Sequence, residues 1–271
     1  MAHHKLTGGK LEEAGKLQIP LTSFYIRIEP WVIRTLDRTT RFFLKVRGRP
    51  ILIVLSRLIG RFLPTGEVIT LDQATDFIDA ISVLENTEIT IGPCICQKSL
   101  GRKKGTYVKD MFVLYGAEAF RRADSECRDL TPEEAKALLR DLYQEGLVPT
   151  FYACLRSKGW AYVLCSCERE ICFPLRAHLA AGGVLSPGHD IVALDKERCT
   201  GCGICVERCH FGANRLVNGS SEVNLAECYG CGLCVSTCTG EARTMVEREG
   251  YRNQYYPIEL VSKVSSHQKV L

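Results

Sequence analysis

The chain has 271 residues, 46% of them hydrophobic, and a formal net charge of +4, so it can fill ordinary cores and is not a disordered polyelectrolyte. Its 15 cysteines leave two classes open, a disulfide-bonded secreted scaffold or a metal protein. Residues 1–30 carry scattered charges (Lys5, Lys10, Glu12, Glu13, Lys16, Arg27, Glu29) and no continuous apolar core. That argues against a secretory signal and predicts a cytoplasmic, reducing home, where cysteines cluster for metals.

Residues 1–63 hold 12 Lys and Arg against 4 Asp and Glu, and the remainder holds 23 against 27. The pattern is a basic arm on an acidic body. The arm, 1–63, reads as helical. Its most apolar run, Pro50 to Leu63, is too short for a membrane span of about 20 residues and is interrupted by Arg57 and Arg61. Residues 31–63 hold eight basic side chains against the single acid Asp37. This fits an amphipathic helix docking on an acidic partner, or peripherally on the inner face of the cytoplasmic membrane. The alternative is a plain core stripe of Ile51, Leu55, Leu58 and Phe62 with a solvated basic face.

The middle region, 64–188, reads as mixed α/β. Leu71 to Asn86 has helical spacing with Thr70 as N-cap and Asp72 in the first turn, and Glu88 to Ile91 alternates as a strand. Asp110 to Ala123 reads as a second helix. Thr131-Pro132-Glu133-Glu134 predicts a third, with Gly146 past its end. Leu147–Leu155 and Trp160–Cys165 then flank Arg156-Ser-Lys-Gly159 as a hairpin, and helix plus hairpin suggests a winged-helix-like unit.

The region 189–250 contains an internal repeat. Cys199-Thr-Gly-Cys202-Gly-Ile-Cys205-Val-Glu-Arg-Cys209 returns 29 residues later as Cys228-Tyr-Gly-Cys231-Gly-Leu-Cys234-Val-Ser-Thr-Cys238. Three cysteines at this spacing wrap three corners of a cubane, and the fourth reaches the cluster of the other copy. The expected ligand sets are therefore Cys199, Cys202, Cys205 and Cys238 for one 4Fe-4S cluster, and Cys228, Cys231, Cys234 and Cys209 for the other. Gly201, Gly203, Gly230 and Gly232 let the loops turn backbone N–H groups toward sulfur. Asn218-Gly219 centres a hairpin over Ala213 to Leu225 that joins the halves. Each cluster with four thiolates carries about −2, so the loaded body is acidic.

These residues resemble the bacterial-type two-cluster ferredoxin family, with all eight ligand positions matched over about 60 residues. The resemblance implies a pseudo-twofold dicluster ferredoxin fold and passage of electrons between enzymes or within one complex. The proline that usually follows the fourth cysteine is replaced by His210 and Thr239. His210 is then either a titratable charge beside a cluster or an exposed histidine without effect.

Seven cysteines lie outside the repeat. Gly92-Pro-Cys94-Ile-Cys96 and Leu164-Cys165-Ser-Cys167-Glu-Arg-Glu-Ile-Cys172 place close thiols at strand ends. Meeting on adjacent strands, they can hold a third metal centre, iron-sulfur rather than zinc, with Cys172 or Cys127 as a further ligand or a reactive thiol. Cys154 reads as a core residue. The order of these parts over Thr70 to Glu249 resembles a group of poorly characterised 4Fe-4S binding proteins of anaerobic bacteria and archaea. Gln97 to Asp110 here lacks the further cysteines of that group.

The expected fold class is thus α+β: a basic helical arm (1–63), a mixed α/β cysteine-containing domain (64–188), the dicluster ferredoxin domain (189–250) and a tail (251–271). The expected function is a non-catalytic electron-transfer subunit that meets redox protein partners in a larger oxidoreductase complex, with arm and tail as docking elements. The alternative is an oxidoreductase whose middle-domain centre is fed by the dicluster module. No Rossmann, phosphate-loop, metalloprotease or flavin signature is visible. An acidic cluster module disfavours nucleic acid.

Overall fold

The computed structural model describes residues 3–46, 48–59, 65–154 and 160–268. Two short strands, β1 (His4–Thr7) and β2 (Lys10–Glu13), form a hairpin ahead of the helices α1 (Gln18–Lys45) and α2 (Arg49–Ile59). The middle stretch runs β3 (Thr65–Val68), α3 (Leu71–Ser82), β4 (Ile89–Pro93), α4 (Ile95–Leu100), β5 (Val108–Val113), α5 (Tyr115–Ala123) and β6 (Arg128–Leu130). It continues through α6 (Pro132–Gln144), β7 (Val148–Cys154), β8 (Trp160–Cys167), α7 (Phe173–Ala181) and β9 (Leu185–Ser186). The last stretch is β10 (Asp190–Leu194), α8 (Ile204–Glu207), β11 (Asn214–Val217), β12 (Ser220–Val223), α9 (Leu233–Ser236), β13 (Arg243–Glu247) and α10 (Ile258–Gln268).

A nine-stranded sheet in the order β6-β4-β5-β8-β7-β3-β9, with β1 added beside β8, forms the centre. Its pairs are antiparallel except β3 with β9. One face packs on α3, α6 and α10 through Phe77, Ile78, Leu139, Phe151 and Val261. The other packs on α1, α5 and α7 through Ile26, Phe120, Tyr162 and Leu175. Burial on both faces is why central strands read as continuous apolar runs. That explains one departure from the sequence reading: Asp110 to Val113 belongs to β5, and the helix starts only at Tyr115.

The capping boxes are as the local chemistry dictates. Thr70 accepts from Gln73 N–H at 3.1 Å and Thr131 from Glu134 N–H at 3.2 Å, and each N3 side chain returns a bond to its cap. Gly146 takes φ +94° just past α6. The hairpin of β7 and β8 is interior to the large sheet, so the winged-helix reading is corrected; a wing would be a peripheral hairpin. The turn at Arg156–Gly159 lies outside the described residues, as do Phe62, Leu63 and the side chains of Cys154, Leu55 and Leu58.

The helical-arm reading misses β1 and β2; the pairing of β1 with β8 comes from distant tertiary contact rather than local pattern. Helix α1 lies on the sheet with Ile26, Ile33, Glu29 and Asp37 buried. Asp37 accepts from Arg176 at 2.5 Å, tying α1 to α7. The opposite face of α1 leaves Leu17, Leu21, Phe24, Ile28, Trp31 and Phe42 exposed. On α2, Leu52 is buried and Ile51 exposed, so Ile51 is not a core residue, and the other three positions of the expected stripe lie outside the described side chains. Among the described residues, no helix is long and apolar enough to cross a membrane.

The tail is not a free docking element. Tyr255 and Tyr256 are buried, and both backbone N–H groups, with the Tyr251 hydroxyl, donate to the fully buried carboxylate of Glu67 on β3. The reason is accounting: a buried carboxylate needs donors, and the tail brings three.

Candidate metal centres

The 29-residue repeat builds a pseudo-twofold unit from two small sheets, β10 with β13 and β11 with β12. The predicted hairpin turn is present, with Asn218 at φ +50° and Gly219 at φ +77°. Two pockets lie in this unit. One is lined by Cys199, Cys202, Cys205 and Cys238. The other is lined by Cys209, Cys228, Cys231 and Cys234. In each, three cysteines come from one copy and the fourth from the other, delivered past the short helices α8 and α9.

The surroundings suit a cluster of bridged iron and sulfide. A Cβ on Gly201 would lie 2.1 Å from the Gly219 carbonyl oxygen, and one on Gly230 would lie 1.9 Å from that of Asp190. Both loops are thus pressed on backbone, at φ +70° and +79°, which only glycine takes without strain. Ala213 N–H donates to Cys209 Sγ and Ala242 N–H to Cys238 Sγ, each at 3.3 Å, and Ser221 N–H donates to Cys199 Sγ at 3.4 Å. Such donors stabilise negative charge on sulfur. The Ser221 and Gly201 N–H groups hold the Cys199 thiol below its ordinary range, whereas burial pushes Cys231 and Cys234 up. When bound, a 4Fe-4S cluster supplies reversible one-electron chemistry; the protein supplies thiolates, donors and exclusion of water.

Sequence reasoning missed Arg243. It is 4% exposed, lines the first pocket and donates to Cys205 Sγ at 3.3 Å, Ser221 Oγ at 2.5 Å and Asn214 Oδ1 at 2.9 Å. The signal was in the repeat: Ala213-Asn214 and Ala242-Arg243 are also 29 residues apart.

The two pockets sit differently on the large domain. Cys202 is exposed to solvent. The second pocket faces inward: Tyr143 on α6 donates to the Cys231 carbonyl at 3.1 Å, and Arg208 donates to the Tyr143 and Gln144 carbonyls at the end of α6. Tyr229 stacks on Phe211 at 4.5 Å. His210 is half-buried: its Nδ1 accepts from Arg169 N–H at 3.2 Å, and Nε2–H donates to the Gly146 carbonyl at 2.8 Å. Burial lowers its pKa, so the neutral ring is favoured. It is neither exposed nor idle; it joins the second pocket to the loop after β8.

That loop borders a further cavity under α1. Five cysteines line it, Cys94, Cys96, Cys165, Cys167 and Cys172, together with Glu29, Ile33, Lys109, Asp110, Tyr152 and Phe173. Cys172 and Cys167 Sγ are 3.3 Å apart, and Phe173 N–H donates to Cys96 Sγ at 3.4 Å. Cys96 also contacts Cys172, and Cys165 contacts Cys167. Burial opposes ionisation of Cys172, yet bonds from Cys167, Cys96 and the Leu175 N–H hold its thiol well below the ordinary range. Burial pushes Asp110 to about 6 and Glu29 to about 8. The sequence expectation thus brings together both Cys-x-Cys pairs and Cys172. Cys127 stands apart, beside Gly92 and Phe112, because β6 and the turn before it run along the sheet edge. Among the described residues, no three His, Cys, Asp or Glu side chains are placed to hold a single metal ion, in this cavity or in the repeat.

His178 on α7 links the cavity wall to the repeat. Its Nδ1 accepts from Val184 and Leu185 N–H at 3.3 and 3.0 Å, and Nε2–H donates to Tyr229 Oη at 2.5 Å. Burial lowers its pKa from 6.5 to about 4. The unfolded chain therefore takes up the proton first: this stabilisation is complete above pH 6.5 and is lost as pH falls toward 4. About 2 kcal/mol is expected once the partial exposure of the ring is discounted. His178→Gln should flatten the pH dependence of urea unfolding in that window; parallel curves for both proteins would refute this.

No curated protein matches the chain. Residues 191–239 match the family described as the 4Fe-4S dicluster domain, so the C-terminal part of this mixed α/β chain is a 4Fe-4S dicluster domain, which implies two 4Fe-4S clusters.

Proposed function

We propose that the protein is an electron-transfer subunit of a larger redox complex, relaying single electrons through two 4Fe-4S clusters held by crossed ligation. The carrying observation is that each four-cysteine pocket draws three cysteines from one copy of the repeat and one from the other. Cys199, Cys202, Cys205 and Cys238 hold one cluster, and Cys228, Cys231, Cys234 and Cys209 the other. Crossed ligands fix the two centres in one rigid unit, which favours exchange between them.

Assembly into a complex is supported by α1. Its exposed apolar residues Leu17, Leu21, Phe24, Ile28 and Trp31 recur every three or four positions, opposite the buried face. The exposed charges beside them are all basic: Arg27, Arg34, Arg38, Arg41 and Lys45. Such a stripe fits a redox partner with an apolar groove and an acidic rim. Capture by anionic vesicles at physiological salt, with no partner protein retained, would assign the stripe to a membrane surface instead.

The test is iron and acid-labile sulfide per chain on anaerobically purified protein, with electron paramagnetic resonance after dithionite reduction. Two interacting reduced clusters are expected from the repeat. Cys238→Ala should damage the cluster of Cys199, Cys202 and Cys205; damage confined to the Cys228 cluster would sink the crossed assignment. A second reading, an oxidoreductase with a redox centre in the middle domain, is favoured by the five-cysteine cavity under α1. Turnover of an acceptor by the isolated, pre-reduced protein would support it.

A further inference from the structure

We propose that the cavity under α1 holds a third iron-sulfur cluster, ligated by Cys96, Cys165, Cys167 and Cys172, and that it exchanges electrons with the Cys209 pocket rather than with the Cys199 pocket. The first half deepens the reading of a middle-domain centre, and the order of transfer rests on the relay reading.

The four sulfurs come from three elements yet form one unbroken set: Cys96 meets Cys172, Cys172 meets Cys167, and Cys167 meets Cys165. Cys165 and Cys167 alternate onto one face of β8, Cys172 opens α7, and Cys96 lies in the first turn of α4. The Phe173 N–H donates to Cys96 Sγ as Ala213 and Ala242 N–H donate to the fourth cysteines of the repeat. Val32, Ile33, Leu36 and Phe173 supply an apolar wall. Lys109, only 2% exposed, lines the same cavity. It shares the cavity with the acids Asp110 and Glu168, and it also places a positive charge beside the charge of about −2 that a cluster with four thiolates carries. Five converging thiols exceed what a core needs.

The order of transfer follows from connectivity. The loop from Cys167 to Cys172 meets His210 through the Arg169 N–H, and His210 adjoins Cys209. On the other side, α7 leads from Cys172 to His178 and by one hydrogen bond to Tyr229, which adjoins Cys228. Both routes end at the second pocket, while Cys202 of the first is exposed to solvent. An electron exchanged with a carrier at the solvent-facing Cys199 pocket therefore reaches the cavity through the Cys209 pocket. Each step oxidises one centre by a single electron and reduces the next by one, and no bond or proton has to move. The donor is a one-electron carrier protein in the cell and dithionite in the test.

The full chain, loaded anaerobically with iron and sulfide, should hold about twelve irons, and Mössbauer spectra with isotopically enriched iron should resolve three clusters without any variant. Cys167→Ser with Cys172→Ser should lower this to about eight with the coupled dicluster signal intact, whereas Cys127→Ser should stay at about twelve. About eight irons in the unaltered protein, zinc in the cavity, or a Cys167 to Cys172 disulfide in the loaded protein would overturn the site. For the order, Cys231→Ala should slow the spin relaxation of the third reduced cluster, and Cys202→Ala should leave it unchanged. The reverse pattern would overturn the order. Loss of the dicluster signal from the unaltered protein, with the cavity still loaded, would overturn the relay and the order while leaving the site in place.

Discussion

Gly230→Ala is expected to strip iron from the dicluster domain and to destabilise the protein by on the order of 3 kcal/mol or more. The added methyl would sit 1.9 Å from the Asp190 carbonyl oxygen, at φ +79°. The left-handed conformation alone costs alanine roughly 1 kcal/mol. The rest arises because the obstacle is backbone: Asp190 begins β10, which is fixed by pairing with β13 from Asp190 opposite Glu247 onward. Nothing flexible can yield, so either the strand pair or the cysteine loop must move. Gly201→Ala should behave alike through the Gly219 carbonyl at 2.1 Å. Gly250→Ala is the control, since it shares a positive φ of +67° but meets nothing within 4 Å; it should cost about 1 kcal/mol and keep full iron. Unchanged iron and melting temperature in Gly230→Ala would refute the close-packed account of these loops.

Arg243→Leu is expected to lower the midpoint potential of the cluster in the Cys199 pocket by on the order of 100 mV, read by redox titration under paramagnetic resonance. The guanidinium is buried and, among the described residues, has no carboxylate partner; the Cys205 and Cys234 sulfurs, Ser221 and Asn214 take its donors. Reduction adds one negative charge nearby, and unit charges about 6 Å apart at an effective dielectric near 20 attract by roughly 3 kcal/mol. Removing the cation removes that preference for the reduced state. Arg243→Lys should restore most of the shift while losing the fork geometry. In chain stripped of metal the sign should reverse: an uncompensated buried cation is then a liability, and Arg243→Leu should be neutral or stabilising. Equal potentials in Arg243→Leu and the unaltered protein would remove Arg243 as the cluster's counter-charge.

The cysteine repeat, the capped helices at Thr70 and Thr131 and the Asn218-Gly219 turn were legible because each is governed by residues within a few positions of one another. The sheet was not. Strand β5 was hidden by burial on both faces, and β1 joins β8 across about 150 residues of chain with no local signal. The two Cys-x-Cys pairs were visible as candidates, and the register of β4, β5 and β8 brings them together. Cys127 looked equivalent by residue type and differs only in which way the chain carries it. Arg243 could be found only by extending the repeat past its last cysteine.

The bond set around Glu67 also has a consequence for biogenesis. Strand β3 leaves the ribosome long before Tyr251, Tyr255 and Tyr256, which supply its buried carboxylate with donors. The dicluster cysteines emerge between the two. During synthesis the sheet is therefore unfinished while all eight thiols of the repeat are already available. Iron and sulfide can therefore be offered to these thiols before the scaffold is closed, since closure waits on the Tyr251–Tyr256 stretch that follows the repeat in sequence.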